Sequence, residues 1–479
     1  MKPIVNGIHT REDVWKLPSW DPTLLWYARG VAHMQTLPLN NFRGWRYQGA
    51  IHEYVRAFDP LAVQGEALPS TADQKRFWTQ CQHGTWYFLP WHRIYLAFFE
   101  QIVRQHIVAL GGPVEWALPY WNYSDSSNLN FRNARPEFVQ PTLPGGATNA
   151  LAAAARRTQT GNYGISANHV DLTCLKTVPF MTGSNGAPSG FGGPKTGFEH
   201  AGGTIGDLEG VPHGTIHTRV GGPGGWMSSF ATAALDPLFW LHHANIDRLW
   251  EVWRSRGPQF QDPSHPPSNP AWGAPSGTVF RLQDATGTVV PLTVDQVVDT
   301  KATVLSYQYE DIFDPFPGAA LGEEDMPTGP AALVGASEQP IRLTSEPTTA
   351  VVRLDAAAIG EQGAALAEGE EPNAYLNIEN IVGNQLAPSY EVYVNADGDG
   401  PGTRYAGILS MFGLVERSSQ EDPHGGGGLS YVLDITDLVR RLRAANAWDD
   451  EKLRVTFVPT DEDMPASTLK IGRISLYYR

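Results

Sequence analysis

At 479 residues, 42% hydrophobic and 11% aromatic, the chain is long enough for two domains or three and can fill a large core. Its formal net charge of -15 at pH 7 argues against nucleic acid and against an anionic membrane surface as partners, and says little about a small neutral substrate. Only two cysteines occur, Cys81 and Cys174, which excludes a disulfide framework. The opening MKPIVNGIHTRED lacks a basic stretch followed by an apolar one, and no apolar run of roughly 18 residues occurs. The expectation is a soluble, cytoplasmic protein, with export on a partner left open.

Residues 1 to about 255 are rich in Trp, His and helix-compatible runs. Residues 76–105, including FWTQCQHGTWYFLPWHRIYLAFFEQIVRQ, predict two helical pieces broken near Pro90. The proline opens the second piece, where its missing N–H costs nothing. Residues 140–206 are rich in Gly, Ala and Asn and predict long loops, with a short helix over 149–157. Residues 235–253, LDPLFWLHHANIDRLWEVW, carry apolar residues at helical spacing behind Asp236-Pro237, a helix-start signal. Residues 257–275 are Pro-rich and read as extended loop, and residues 278–311 as short strands packed on the helical part. Residues 316–340, a mixture of Pro, Gly, Ala and acid, read as a linker. After it, residues 341–354, 374–381, 390–395, 429–435, 452–458 and 469–478 read as strands of a small β-sandwich. Residues 360–371 and 421–428 read as flexible loops.

Six histidines fall into two sets: His52, His83 and His92, then His213, His217 and His243. Each set sits in a segment that reads as helix. Neutral imidazole suits copper and iron, and six imidazoles with few carboxylates nearby suit two coppers better than magnesium or calcium. The pattern points to dioxygen chemistry at a coupled dicopper centre. His213 and His217, four apart in PHGTIH, share one face of a helix, although such a pair alone is most often a surface coincidence. His242-His243 lies mid-helix in an apolar stretch, where an unpartnered imidazole costs burial energy. Neighbours on a helix diverge by about 100°, so only one of the two reaches a given metal. A satisfied core histidine accounts for any one of the six, but poorly for all six together. His9, His33, His106, His169, His200, His265 and His424 lack such a context and read as structural or surface residues.

The motifs YQGAIHEY, FLPWHRIYLAFFE, LEGVPHGTIH and LDPLFWLHHANIDRLW resemble the copper motifs of the type 3 copper superfamily, which holds tyrosinases, catechol oxidases and molluscan hemocyanins. The resemblance implies a mainly α catalytic domain over 1–315, a four-helix bundle holding the dicopper centre. His52, His83 and His92 would bind the first copper; His213, His217 and His243 would bind the second. The second histidine of the HHxN pair is the ligand in the family, so His242, Asn245 and Asp247 support the ligands from behind. NPAWGAPSGTVFRLQDATGTVV and LSYQYED are similar to the segment closing the catalytic domain of plant polyphenol oxidases, with Tyr307 and Tyr309 as its terminal tyrosine pair. SYEVYVNADGD through KIGRISLYY resembles the C-terminal domain of the latent plant enzymes. A shielding β-sandwich over 341–479 is therefore expected after a linker over 316–340.

By the same resemblance the chain oxidises o-diphenols to o-quinones with O2, as a latent pro-form. Glu209 orients a water near the second copper, and the Phe230 ring overhangs the pocket; Met227 and Thr218 are further lining candidates. Several tyrosinases carry Asn where this chain has Gly214, and glycine has no side chain to hold the water that helps strip a monophenol of its proton. This favours diphenols. Met411, Phe412 and Leu414, in YAGILSMFGL, are the candidate plugs over the site. The plant N-terminal disulfides are missing, which fits a reducing compartment. Cys81, in CQH, is similar to the fungal cysteine that forms a thioether to a histidine ring, here His83, which would lock its rotamer. Cys174 reads as a free thiol. The partners implied are a phenolic small molecule and O2, an activating protease and a copper-delivery protein. The competing readings are a tyrosinase with full monophenolase activity, an oxidase of o-aminophenols or halogenated phenols, and a hemocyanin-like oxygen carrier. One copper unit without repeats and a cuttable linker favour the enzyme.

Overall fold

The computed structural model describes residues 1–152, 155–182, 189–198, 203–263, 272, 280–317, 331–365, 372–395, 404–421, 425–461 and 469–479. The chain divides into two compact units. One comprises Met1–Gln82, Tyr87–Leu175 and Arg219–Pro317; the other comprises His83–Trp86, Lys176–Thr218 and Gly318–Arg479. The division is not linear in sequence, because the second unit takes up two segments from within the expected catalytic domain. No described helix is long and apolar enough to cross a membrane.

The first unit is helical. Its main elements are α1 (Pro22–Gln35), α2 (Trp45–His52), α3 (Thr71–Phe77) and α4 (Phe88–Ala109). Downstream come α5 (Thr215–Gly221, which runs across the division), α6 (Phe230–Ala233) and α7 (Pro237–Ser255). Every residue from Phe88 to Glu100 is buried, so the first half of α4 is enclosed on all sides; the helix packs on α1 and α7. The expected pair of helical pieces is corrected here. Helix α3 stops at Phe77, and the chain runs to Tyr87 without helix through positive φ at Thr79 and Gly84. Pro90 is the third residue of α4, still in the first turn, where its missing N–H is one of the orphan donors. Of the helix expected over 149–157, a single turn of 3-10 helix, Ala150–Ala152, forms; residues 153 and 154 lie outside the described residues.

Helix α7 begins where Asp236-Pro237 predicts. The Asp236 carboxylate accepts the Leu238 N–H at 2.8 Å and is gripped by two N–H groups of Arg156, each at 2.7 Å. Further along α7, Asp247 joins four partners. Its Oδ1 accepts from Arg93 Nε at 2.6 Å, and its Oδ2 accepts from the hydroxyls of Tyr307 and Tyr309, each at 2.6 Å. Arg11 Nη1 stands 3.6 Å away, and its guanidinium lies over the Tyr307 ring. Strand β1 (His9–Arg11) runs parallel to β4 (Tyr307–Tyr309), with Arg11 opposite Tyr309. The hairpin of β2 (Phe280–Gln283) and β3 (Val289–Leu292) lies between them in sequence. Burial pushes the Asp247 carboxyl up, but Arg93, Arg11 and the two hydroxyls outweigh it and hold it below the usual carboxylate range.

The second unit is built on one antiparallel sheet rather than two. Its strands are β5 (Ala332–Ala336), β6 (Ile341–Leu343), β7 (Thr348–Leu354), β8 (Ala374–Val382), β9 (Tyr390–Val394), β10 (Tyr405–Leu409), β11 (Leu429–Asp434), β12 (Lys452–Pro459) and β13 (Leu469–Tyr478). The order is β10-β9-β12-β7-β5-β13-β8-β11, with β6 on β13. The end strands β10 and β11 come together, so the expected β-rich domain is barrel-like, its strands joined in one continuous curled sheet. Three further differences concern local chain. Residues 341–354 form two strands, interrupted at Glu346-Pro347. Strand β5 lies inside the expected linker, paired with both β7 and β13, while residues 318–330 lie outside the described residues. Ile205 joins the core of the sheet, and its N–H donates to the Ser430 carbonyl at 2.9 Å.

Asp247 and its arginines are a fully buried ionic cluster, and removing one partner strands the others without a counter-charge. Asp247→Ala should cost about 3–5 kcal/mol, whereas Glu338→Ala, which breaks the exposed pair with Arg353, should cost under about 1 kcal/mol. Chemical denaturation of both variants at neutral pH checks this. The depressed carboxyl contributes stability only while ionised, so the Asp247 effect should shrink as the pH falls below about 4.

Candidate metal centre

In the helical unit, His52 is the last residue of α2, and its Nδ1–H donates to the Phe230 carbonyl at 2.9 Å. His92, one turn into α4, donates from Nδ1 to the Phe88 carbonyl at 2.8 Å. A donor at Nδ1 places the lone pair on Nε2, the nitrogen then offered to a metal. The ligand atoms of His52 and His92 lie within 4.8 Å of each other. His243 stacks on His92, with ring centroids 4.5 Å apart and planes 14° from parallel. Burial holds the His92 imidazole down to about 3 against the pull of the Phe88 carbonyl, which keeps it neutral as a metal ligand must be.

His242, expected to support the ligands from behind, itself offers a ligand atom within 4.8 Å of one on His243, and Tyr123 Oη lies 3.0 Å from its Nδ1. Asn245 Oδ1 accepts from Arg248 Nε at 2.9 Å. Phe230 is buried with its ring edge-on to His52, at 6.1 Å and 81°. Its main-chain carbonyl, which the sequence did not single out, is what orients His52. Met227 is buried nearby in sequence, and Cys81 and Cys174 are both buried.

In the second unit, Glu209 serves two histidines at once. Its main-chain carbonyl accepts from His213 Nδ1 at 3.1 Å. Its carboxylate lies 3.1 Å from His83 Nδ1 and accepts the Gly84 N–H on both oxygens, at 3.0 and 2.8 Å. Carboxylate and carbonyl partners of this kind fix the tautomer and ring orientation of metal-binding histidines. Burial pushes Glu209 up to about 8, with the Gly84 N–H and the Arg417 guanidinium pulling the other way. The ligand atoms of His213 and His217 lie within 4.8 Å of each other, and the His83 and His213 rings are stacked at 5.9 Å. Thr218 is tied to Ser389 by a hydroxyl contact of 2.9 Å.

Phe412 separates from the other two plug candidates. Met411 and Leu414 belong to the apolar core of the sheet. Phe412 instead lies flat on His217, with centroids 3.8 Å apart and planes at 7°, and edge-on to His213 and His83 at 5.6 and 6.0 Å. Arg417, just beyond, is buried and donates to the carbonyls of His83, Gly203 and Gly428 at 3.4, 3.0 and 3.1 Å. Nothing in the residues themselves marked Arg417 or Tyr123. Arg93 carried a signal, standing directly after His92.

All six expected ligands are buried. Three donate from Nδ1 to main-chain carbonyls, and a fourth meets a carboxylate. That donor set fits copper. A family model described as the common central domain of tyrosinase matches residues 43–256, and one described as a domain of unknown function matches 330–479. A tyrosinase of Hahella sp. (strain CCB-MM4), HcTyr1, is 35% identical over 489 residues, covering 98% of this chain and 99% of its own. The chain belongs to the tyrosinase family of type 3 copper proteins. It is a copper phenol oxidase, and its cofactor is a pair of copper ions. Polyphenol oxidase A1 of Vicia faba is 27% identical over 466 residues, covering 90% of this chain and 72% of its own length. Two solved structures share the fold across the whole chain. Latent apple tyrosinase has a TM-score of 0.61 at 22% identity, with 98% of that chain covered. Latent aurone synthase has a TM-score of 0.62 at 22% identity, with 91% covered.

Glu209→Gln keeps one amide oxygen as an acceptor but removes one of the two carboxyl oxygens that meet His83 and Gly84. Copper affinity should fall by roughly 10- to 100-fold, read by titration against a competing chelator. Affinity equal to wild type would remove Glu209 from the support of the site.

Proposed function

We propose that this protein is a latent o-diphenol oxidase whose copper pocket is shielded by Phe412. The carrying observation is the Phe412 ring lying flat on His217 at 3.8 Å. A phenol ring bound at the centre would need that face. His52, His83 and His92 hold one copper in this reading, and His213, His217 and His243 hold the other. When bound, the copper pair supplies the two-electron exchange between dioxygen and the phenol. The residues supply the rest. The Phe230, Phe88 and Glu209 carbonyls hold three imidazoles with Nε2 forward. The aromatic wall of Phe88, Trp91 and Phe239 around His52, His92 and His243 keeps water away.

Gly214 supports the diphenol preference. It carries no amide to hold a water for removing the proton of a monophenol, whereas an o-diphenol needs no such help. Activation follows from cutting the chain between residues 318 and 330, where GAALGEEDMPTGP offers acid, Gly and Pro to a protease. The window stops there because β5, from Ala332, is paired on both sides. A copper-delivery protein is the second proposed partner, and the cytoplasm the proposed compartment.

Oxygen uptake by the copper-loaded protein, with catechol and a matched monophenol side by side, tests this reading. Weak uptake should rise roughly tenfold or more after limited proteolysis or in Phe412→Ala, and with catechol far more than with the monophenol. Prompt, equal uptake before cleavage would falsify the latent diphenolase. A second expectation concerns Cys81, which is fully buried two residues before His83. Joining its Sγ to the His83 ring removes one hydrogen from each, with two electrons passing to copper and dioxygen. The copper-loaded protein, denatured and measured by mass spectrometry, should be lighter by two hydrogen atoms than the copper-free protein. An unchanged mass with both thiols titratable would remove the thioether.

A further inference from the structure

Two glycines each directly follow a histidine of the proposed centre: Gly84 after His83 and Gly214 after His213. At both, the place of a Cβ is taken by the same stretch of chain. A Cβ at Gly214 would stand 2.5 Å from Ser410 Oγ and 2.8 Å from Ser410 Cβ; one at Gly84 would stand 2.8 Å from Arg417 Nη1. Ser410 and Arg417 flank Phe412, one on each side.

The fit at Gly214 has little slack. Turning the Ser410 side chain would move Oγ but not Cβ, which moves only with the main chain. That main chain is pinned: Ser410 Oγ accepts the Phe412 N–H at 3.1 Å, and the Ser410 carbonyl accepts the Tyr431 hydroxyl. Gly210 gives the contrast, because a Cβ there would meet the Tyr431 ring at an ordinary 3.4 Å. At the other notch, Arg417 reaches the His83 carbonyl itself and brings a buried positive charge towards Glu209.

We propose that Gly84 and Gly214 are notches that key the 410–417 segment onto the ligand histidines, so that the missing side chain at 214 is a determinant of latency. The inference rests on the latency reading above. A methyl group at 214 overfills a packed contact and pushes Ser410 back, and Phe412, two residues on, moves with it. Any substitution at 214 then changes the cover as well as the proton chemistry of the substrate.

The test compares each variant with its own cleaved form, so that effects on the copper site itself divide out. In wild type, catechol uptake after cleavage exceeds uptake before it. In Gly214→Ala this ratio should fall by roughly tenfold or more. Ser410→Gly alone, which also frees the Phe412 N–H, should lower the ratio in part, and adding it to Gly214→Ala should lower the ratio no further. Hydrogen exchange on the copper-free protein gives a reading independent of activity, and amides of 409–417 should exchange faster in Gly214→Ala than in wild type. A wild-type ratio in Gly214→Ala, with latency lost in Phe412→Ala, overturns the notch and leaves the shielding reading standing. A ratio in the double variant lowered by the product of the two single effects overturns the keyed contact. No difference between full-length and cleaved wild type, and none in Phe412→Ala, overturns the latency reading and the notch together.

Discussion

The helical unit depends on a single carboxylate. Asp247 stands one turn beyond His243 on α7 and is gripped by Arg93, the residue directly after His92 on α4. The same carboxylate takes the hydroxyls of Tyr307 and Tyr309, and Arg11 closes the ring from β1. The two helices that carry His92 and His243 and the two ends of the unit are thereby tied at one buried point. A cluster of this kind is an uncertain source of net stability, since desolvation costs about as much as the charges return. What it fixes is position. The stagger between α4 and α7 sets where His92 and His243 stand, and apolar packing alone tolerates slippage that charge pairing does not.

Glu209 does for the second unit what Asp247 does for the first, with a different economy of means. Its main chain and side chain orient one histidine each. At these two, as at His52 and His92, Nδ1 meets an acceptor set by the fold, so Nε2 is the nitrogen left for an ion before any arrives. The neighbouring Gly84 has φ +62°, a left-handed conformation that glycine adopts without strain. This turn lets its N–H reach both oxygens of Glu209.

Much of this was legible in the residues. Asp236-Pro237 marked the start of α7, because a carboxylate cap and a proline at the first helical position both relieve orphan N–H groups. Strands β8, β9 and β11 to β13 were visible as β-branched and aromatic runs between turn residues. Strand β5 was not. Ala332–Ala336 reads ALVGA, and its extended form is dictated by β7 and β13 on either side, not by intrinsic preference. His83 was found as a ligand candidate but placed on the wrong kind of backbone, since its aromatic neighbours mimic a helix while Thr79 and Gly84 take positive φ. The role of Ser410 could not be read at all. It exists only where two segments nearly two hundred residues apart come within van der Waals distance.

The position of β5 bears on what a cut in the chain does. Any break between 318 and 330 lies upstream of all nine strands, so it severs no pairing in the sheet. Ile205 stays seated in the core of that sheet, with its N–H on Ser430. In the latency reading proposed above, a cut there turns a tethered cover into a separate body that keeps its own binding face. The local concentration conferred by the tether disappears, and occupancy becomes a matter of mass action. Release of activity is then governed by how dilute the two pieces are and by what else competes for the face. On that reading a protease sets the time of activation, and dilution sets its extent.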